Sequence, residues 1–311
     1  MDQVLTGLRP FTESDIEPLA RLLVAAHAWP PTADPAPDDI FLRWQRRNVH
    51  PDDDVNVLID ASGDLIAFSQ TALFKDGTSR LAFEMAVHPD HRRKGIGAAL
   101  YEMVEFRARS ASVSHVTAPV YSAVDETHPE SISFLAARGF RADHSYWQMR
   151  IDDIERGPAP VWPKGIGVRI FSDMERDAVA WAQLIIEAFG ESSTPQSIRA
   201  QVMEPGVSKD GYFFAVDVGT GREIGTSRGR VDLIGGKEVG YIGTVGVLPQ
   251  YRGRGIAEAL VKQTLQYLAS VGMCSTTLFV EDRNIAARKL YDKLGWRQMY
   301  RTDHYWKRLG M

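Results

Sequence analysis

The stretch VHPDHRRKGIGAAL at residues 87–100 decides the fold of this chain, because it returns as VLPQYRGRGIAEAL at residues 247–260. The turn glycines, Gly95 and Gly255, lie 160 positions apart. Each copy predicts a strand that ends at Val-x-Pro, then a basic glycine turn, then the start of an apolar helix. The unpaired N–H groups of a new helix form a cradle for phosphate. A single copy is often only tight packing between strand and helix, but two matching copies favour two phosphate cradles.

The repetition extends to both ends of each half. Residues 5–27 and 167–189 each predict a short strand, a polar helix cap and an amphipathic helix. Near the end of each half, FLAARGF (134–140) and LYDKLGW (290–296) predict a helix that is closed by glycine before a final strand. The chain is therefore interpreted as an internal duplication.

Each half is predicted to have the order β-α-α-β-β-β-α-β-α-β. Alternating apolar residues and turn signals predict strands near 55–60, 65–74, 80–88, 114–121 and 142–151 in the first half, and near 212–218, 223–232, 237–248, 275–281 and 298–307 in the second. The main helices are predicted near 95–110, 128–138, 255–271 and 284–294. The predicted domains are residues 1–151 and 167–311, with a Pro- and Gly-rich linker at 152–166.

Composition limits the classes of function. The 311 residues, of which 44% are hydrophobic and 24% charged, are typical of a globular protein of two domains. The net charge of −4 provides no global basic field, so we expect neither nucleic acid nor a membrane as a partner. The N-terminus lacks a basic segment followed by an apolar run, and the single Cys274 excludes an internal disulfide. We expect a cytoplasmic monomer or homodimer without a metal, with Cys274 as a small core residue.

The motif residues resemble a known family. Arg-x-x-Gly-x-Gly/Ala after a Val-x-Pro strand exit, present as RRKGIG at 92–97 and RGRGIA at 252–257, is similar to the acetyl-CoA-binding motif of the GCN5-related N-acetyltransferases (GNAT). The stretch FVEDRNIAARKLYDKLGW at 279–296 resembles the family's downstream motif. The tandem arrangement is similar to that of mycothiol synthases. It implies an α/β fold of mixed α+β character, with two tandem GNAT domains. Each would have a mostly antiparallel central sheet, a splayed parallel strand pair and flanking helices.

The resemblance also implies where acetyl-CoA binds. Strand residues beyond the splay would contact the pantetheine and the thioester, and the glycine turn would take the pyrophosphate. Asn284 would cap the helix that follows it, bond the pantetheine, or do both. The implied cofactor-binding residues of the second half are Val245, Val247, Arg252, Gly253, Arg254, Gly255, Ile256, Ala257 and Asn284. Those of the first half are Met85, Val87, Arg92, Arg93, Lys94, Gly95, Ile96 and Gly97.

In the implied reaction an amine attacks the thioester directly, so the protein must supply a base and a proton donor for the leaving thiolate. Tyr291 is the implied donor, although an aromatic residue on an amphipathic helix is commonly a core residue. The glutamate that many relatives carry eight residues before the strand-exit proline is replaced by Tyr241 and Leu81. Glu281, Glu238 and a water chain remain open as the base of the second half.

The first half departs further from the family pattern. The span from its turn glycine to its closing glycine is 44 residues, against 40 in the second half. Counting back from the closing glycine places Leu135 where the second half has Tyr291, and His128 where it has Asn284. Glu84 is the candidate base of the first half, or a strand residue that faces solvent. We expect the first domain to bind CoA with weak or no catalysis, and the second to transfer the acetyl group.

Three functions remain open on these grounds. The favoured one is an acetyl-CoA-dependent N-acetyltransferase that acts on the primary amine of a small molecule. The second is a non-catalytic acyl-CoA-binding or regulatory module, and the third is an acetyltransferase for a protein lysine or N-terminus. Asn284 and Tyr291 favour an enzyme, because binding alone requires neither.

Overall fold

The computed structural model describes residues 4–74, 79–204 and 206–310, which form twelve β-strands and nine α-helices. The strands are β1 (Leu8–Pro10), β2 (Val55–Ile59), β3 (Leu65–Phe74), β4 (Arg80–Val87), β5 (His115–Ala123), β6 (Arg141–Asp152), β7 (Ile166–Ile170), β8 (Tyr212–Asp217), β9 (Glu223–Ile234), β10 (Lys237–Val247), β11 (Ser275–Glu281) and β12 (Arg297–Arg308). The helices are α1 (Ile16–Ala25), α2 (Pro37–Arg46), α3 (Pro51–Asp54), α4 (Ile96–Ser110), α5 (Pro129–Ala136), α6 (Met174–Phe189), α7 (Pro195–Val202), α8 (Ile256–Ser270) and α9 (Ile285–Lys293).

The predicted order of elements is confirmed in the second half. In the first half the short helix α3 is a third helix before β2, where two were predicted; the remaining element ends differ from the predictions by a few residues. Gly139 and Gly295 end the last helix of each half with φ of +81° and +87°, a backbone conformation that glycine adopts without strain. Between β6 and β7 the chain has only a short 3-10 turn at Ile154–Arg156. The domain limits 1–151 and 167–311 stay a prediction.

All twelve strands belong to one sheet. Its order is β1-β2-β3-β4-β5-β12-β6-β11-β10-β9-β8-β7. Most neighbours are antiparallel, but β4 with β5 and β10 with β11 are parallel. The two halves therefore extend outwards from a shared centre in mirrored strand order.

The last strand of each half pairs with a strand of the other half. Strand β12, from the C-terminal end of the chain, pairs with β5 of the first half. Strand β6, from the first half, pairs with β11 of the second. The two exchanged strands also pair with each other at the centre. This exchange joins the halves into one continuous sheet, so the central strands carry side chains of both halves into the same region.

Aromatic side chains anchor the early helices against the sheet. Trp181 of α6 packs on Tyr212 and Phe214 of β8, with ring centroids 4.8 and 5.1 Å apart. In the first half, Trp44 of α2 packs edge-on against Phe11 at 5.1 Å. These buried contacts fix the orientation of α2 and α6, the helices that border the centre of the molecule.

The expectation that Cys274 is a core residue is wrong. Its side chain is exposed in the loop between α8 and β11, and its thiol donates to the Glu155 carboxylate at 3.2 Å. The apolar run that suggested burial begins only after the cysteine, within β11.

Candidate functional site

The two glycine turns share one backbone conformation. Gly95 and Gly255 have φ of +84° and +81°, and each directly precedes a helix, α4 and α8 respectively. Two positions earlier, Arg93 and Gly253 are also left-handed, with φ of +60° and +75°. The paired left-handed residues turn the chain from the strand exit into the helix. The repeated sequence thus produces a repeated structure.

Each turn presents a row of unpaired backbone donors. Among the described residues, the first N–H to bond back into each helix belongs to Ala99 (3.0 Å) and Ala259 (3.1 Å). The preceding N–H groups, of residues 93–98 and 253–258, donate to no described backbone carbonyl. Donors in this arrangement at a helix N-terminus suit a pyrophosphate, which the helix dipole also favours.

The first arginine of each motif braces the turn. Arg92 donates to the carbonyls of Val87 (3.3 Å) and Ala26 (3.2 Å). Arg252 makes the equivalent bonds at the exit of β10 and near the end of α6, at 3.0 and 2.7 Å. These guanidinium groups tie turn, strand and helix together. Arg93, Lys94 and Arg254 are exposed beside the turns, and Arg252 is also exposed despite its two bonds.

The parallel strand pairs separate at equivalent points. Strand β4 pairs with β5 only over Arg80–Ala82 and His115–Thr117, and β10 pairs with β11 only over Gly240–Ile242 and Thr276–Leu278. Beyond these three-residue ladders each pair has no further registered partners. The strand residues implied to contact the cofactor lie past the separation, and they are Met85, Val87, Val245 and Val247.

A cavity of about 730 Å³ lies beside the first turn, between β4, β5 and α5. Six of the implied cofactor residues line it: Met85, Val87, Arg92, Arg93, Gly95 and Gly97. Two of the eight do not: Lys94 is exposed, and the side chain of Ile96 is buried in the core. Ile256 of the second half is buried in the same way, so only the backbone N–H groups of these two isoleucines are available to a ligand.

The two copies differ at the strand that precedes the turn. In the second half the pairing of β10 with β9 shifts by one residue between Gly243 and Gly246, which is a β-bulge. Thr244 within the bulge has φ of +57°, a rare conformation for a residue other than glycine. The corresponding ladder of β4 with β3 runs without a shift. The two halves therefore differ at the strand segment where the family resemblance implies contact with the thioester.

Glycines make the bulge possible, and the sequence analysis missed them. A side-chain carbon at Gly246 would lie 2.7 Å from the Phe189 ring, and one at Gly243 would lie 3.0 Å from the Tyr241 ring. The segment GYIGTVGV (240–247) has a glycine at every third position, whereas the equivalent LAFEMAV (81–87) has none. Glycine inside a predicted strand is a known sign of a bulge, so this signal was available.

A second cavity, of about 1030 Å³, lies at the centre of the sheet. Thr244 of the bulge lines it, together with residues from both halves and from both exchanged strands. Its other polar and aromatic lining residues include Arg43, Arg47, Tyr121, Tyr146, Trp181, Glu191, Arg228, Tyr241, Tyr300 and His304. A molecule in this central cavity would thus reach the second splay while it contacts both halves.

Comparison with known proteins decides the family. Residues 19–140 and 164–296 match the model of the Acetyltransferase (GNAT) family. The chain belongs to the GNAT acetyltransferases. Curated relatives include mycothiol acetyltransferases of Salinispora arenicola, 31% identical over 71% of this chain and 71% of the relative, and of Salinispora tropica, 29% identical over 91% and 89%.

Solved structures share the tandem fold. A GCN5-related N-acetyltransferase from Sphaerobacter thermophilus has a TM-score of 0.81 at 24% identity, and the match covers 98% of this chain and 96% of that one. A tandem GNAT protein from the clavulanic acid biosynthesis pathway has a TM-score of 0.73 at 20% identity, with 98% of both chains covered. At these identities the likeness shows the fold alone. It confirms the predicted tandem GNAT architecture.

GNAT acetyltransferases take their acetyl group from acetyl-CoA. Within residues 4–74, 79–204 and 206–310, no three His, Cys, Asp or Glu side chains are grouped so that they could hold a metal ion. None of the helices in the described ranges combines the length and the apolar surface needed to cross a membrane.

Tyr291 lies on α9 and is buried beside Trp296, with ring centroids 5.7 Å apart. Burial raises the pKa of its phenol above the usual value, and the nearby Tyr241 adds to this. The phenol is therefore protonated at neutral pH, as an ordinary tyrosine would be, and its side chain lines neither of the two cavities. Asn284 caps α9, because its side-chain oxygen accepts the Ala287 N–H at 3.1 Å. The capping interpretation is confirmed, and the contact with pantetheine stays a prediction.

The two candidate bases of the second half lie in different places. Glu238 is exposed at the hairpin end of β10, away from the splay. Glu281 ends β11, pairs in register with Tyr146 of the central cavity, and its carboxylate lies 3.1 Å from the exposed Arg283. The geometry favours Glu281 over Glu238.

Glu84 is neither a solvent-facing residue nor a free base. Its side chain is 10% exposed, and its carboxylate lies 2.7 Å from Arg43 and in contact with Arg47. The Tyr121 hydroxyl donates to it at 3.2 Å. Burial raises the pKa of Glu84, but the two guanidinium groups and these hydrogen bonds hold it below the usual value. The carboxylate is a permanent partner of the arginines and is poorly suited to accept a proton at neutral pH.

This ion-paired cluster separates the two cavities. Glu84 and Tyr121 both line the cavity beside the first turn, while Arg43, Arg47 and Tyr121 line the central cavity. No local pattern in the sequence indicates this cluster, since Arg43 and Arg47 lie 41 and 37 positions before the glutamate on a different element.

Proposed function

We propose that the protein transfers the acetyl group of acetyl-CoA to the primary amine of a small molecule, and that the reaction takes place where the second splay meets the central cavity. The bulge at Thr244 carries this proposal. A bulge leaves one residue out of the strand ladder, so its backbone is available to a ligand, and an N–H donor placed there would stabilise the negative charge of an attacked thioester.

Each group of residues has a proposed part in binding. The N–H groups of residues 253–258 hold the pyrophosphate, and Arg254 adds positive charge at the surface of the turn. Val245 and Val247, beyond the separation of the strands, flank the pantetheine. Asn284, whose amide nitrogen is not used in capping, donates to the same arm.

Two residues are proposed to move protons. Tyr291 donates its phenolic proton to the departing thiolate, a role proposed from its place on α9 in the LYDKLGW motif. Glu281 accepts a proton from the amine, directly or through water. It borders Tyr146, and the one ion pair it forms within the described ranges is with the exposed Arg283, a type of surface pair that contributes little.

The first half is proposed to bind CoA without transferring its acetyl group. Its turn has the same backbone conformation as that of the second half, but Leu135 replaces the proton donor and the strand before the turn has no bulge. The inner end of its cavity meets the cluster of Arg43, Glu84 and Tyr121, which blocks the way to the central cavity.

The central cavity favours a small acceptor over a protein. Elements of both halves surround it, and its volume of about 1030 Å³ matches a metabolite-sized molecule. Relatives named mycothiol acetyltransferases make deacetylated mycothiol one acceptor to test. The cytoplasmic location and the monomer-or-homodimer state remain predictions.

Thiol release from acetyl-CoA, measured over a panel of small amines and peptides, tests the proposal. We expect release with a subset of small amines and an acetylated product of matching mass. Release with peptides alone would indicate a protein acetyltransferase. No release with any acceptor, combined with CoA that co-purifies with the protein, would favour the acyl-CoA-binding module.

A further inference from the structure

Arg228 occupies an unusual position in the central cavity. It lies on β9 opposite Gly243, the residue that starts the bulge, and its guanidinium packs over that glycine. A side-chain carbon at Gly243 would be only 3.1 Å from the Arg228 Nε. The arginine lines the cavity directly beside the proposed reaction centre.

Only neutral groups of the described chain bond to this guanidinium. Its Nη1 donates to the Gln201 side-chain oxygen at 2.9 Å and to the Tyr212 hydroxyl at 3.1 Å. Its Nε is buried and has no partner. Within the described ranges no carboxylate lies within 4.0 Å of Arg228, whereas its neighbour Arg230 is paired with both Glu204 and Asp232.

A largely buried guanidinium that touches no carboxylate is costly to a folded protein. Arginine cannot relieve the cost by losing its proton. Burial lowers the pKa of Arg228, but Tyr212, Tyr241 and the more distant Glu204 raise it, so the pKa stays above the usual value. The charge therefore persists, and an anion brought by a ligand would compensate it.

The other charges at the cavity leave room for such an anion. Arg43 and Arg47 are already paired with Glu84. Glu191, between α6 and α7, is exposed, and His304 is uncharged at neutral pH because burial lowers its pKa to about 4. The N-terminal end of α7 also faces the cavity through Thr194 and Ser197, and its dipole favours negative charge.

We infer that the acceptor amine carries a carboxylate, and that Arg228 binds this group and orients the amine toward Thr244. The inference rests on the proposed acetyl transfer and names the class of acceptor. A planar guanidinium matches a carboxylate in shape and can donate to both of its oxygens. The protein would then acetylate an amino acid or a related amino carboxylate.

Paired acceptors test the inference with the full-length protein. Thiol release is measured with common L-amino acids and with the carboxamide of each. The best amino acid should exceed its carboxamide in kcat/KM by about 10- to 100-fold, the range that corresponds to hydrogen bonds to a charged group. Arg228→Gln should lower kcat/KM for the amino acid and so bring the ratio close to one. Arg228→Lys should keep part of the preference for the amino acid.

The control is Arg222→Gln, which removes an exposed arginine that pairs with Glu187 at 2.8 Å outside the cavity. This variant should keep the wild-type ratio. A purely structural role of Arg228 would lower both activities together and leave the ratio unchanged, which would overturn the inference. Preference for a carboxamide, or for phosphoethanolamine over every amino acid, would also overturn it.

A binding measurement separates this inference from the proposed reaction. Thermal shifts with CoA present should show greater stabilisation by an amino acid than by its carboxamide, and Arg228→Gln should abolish the difference. If such selective binding occurs without thiol release, the proposed reaction fails and the anion site stands. If acids and carboxamides stabilise the protein equally while small amines are acetylated, the anion site fails and the reaction stands.

Discussion

Alanine at the two turn glycines should separate the roles of the halves. Gly95 and Gly255 have nearly the same φ, +84° and +81°. A side-chain carbon would have room at both: the nearest atoms are 3.8 Å away in Val4 and 4.0 Å away in Pro163. The cost of Gly95→Ala and of Gly255→Ala is therefore the left-handed backbone alone, about 1–2 kcal/mol each. Both variants should lower Tm by a similar few degrees.

Their effects on activity should differ. If the turn with alanine relaxes away from the left-handed conformation, acetyl-CoA binding must restore that conformation at a cost of about 1–2 kcal/mol. This cost corresponds to a loss of affinity of roughly 5- to 30-fold. Gly255→Ala should therefore raise KM for acetyl-CoA by that factor. Gly95→Ala should leave KM and kcat within about twofold of wild type while it weakens CoA binding to the first half.

The assay combines thiol release at varied acetyl-CoA with calorimetric titration of CoA. The two glycine variants are matched controls for each other, because they share backbone conformation, surroundings and expected loss of stability. A rise in KM for Gly95→Ala alone would place the reaction in the first half. Unchanged KM and unchanged CoA affinity in both variants would refute the role of the turns in binding pyrophosphate.

Three further outcomes are expected from the fold. Deleting β12 should reduce amide-hydrogen protection in β5 as well as in the second half, because β12 completes the first sheet, and full protection of β5 would contradict the exchange. Asn284→Ala should cost about 1 kcal/mol of stability in denaturant titration, and Asn284→Asp, which retains a capping oxygen, should recover most of it. His304 has a pKa lowered to about 4 by burial, so the unfolded state binds the extra proton between about pH 4 and 6.5 and stability is lost as pH falls through that window. His304→Gln should remove up to about 3 kcal/mol of this pH dependence, and an identical pH profile in the variant would contradict the assignment.

The sequence predicted the local structure of both halves because that structure depends on local patterns. Strand exits, glycine turns and helix-closing glycines recur at a nearly constant offset, and each is determined by a few adjacent residues. Gly95 and Gly255 could be recognised in this way, since glycine adopts the left-handed conformation before a helix without strain, irrespective of the rest of the fold.

Contacts between distant elements could not be predicted in the same way. Strands β6 and β12 have similar sequences, SYWQMRI and HYWKRL, so no local pattern determines which sheet each one completes. The ion pairing of Glu84 could not be predicted for the same reason, because α2 brings Arg43 to it from far along the chain. The bulge at Thr244 was predictable in principle from the glycine spacing of β10.

The most direct test of the second-half reaction is the turnover of Tyr291→Phe. The tyrosine hydroxyl has no hydrogen bond to any described residue, so its removal should leave Tm nearly unchanged. With an acceptor found in the panel, kcat for thiol release should fall by about 100- to 10,000-fold, the usual contribution of a positioned acid. Tyr267→Phe is the control: this tyrosine lies on α8 and packs against Phe213 with ring centroids 6.0 Å apart, so the variant should keep wild-type turnover. Full turnover in Tyr291→Phe, together with loss of activity in Gly95→Ala, would contradict the account and assign the chemistry to the first half.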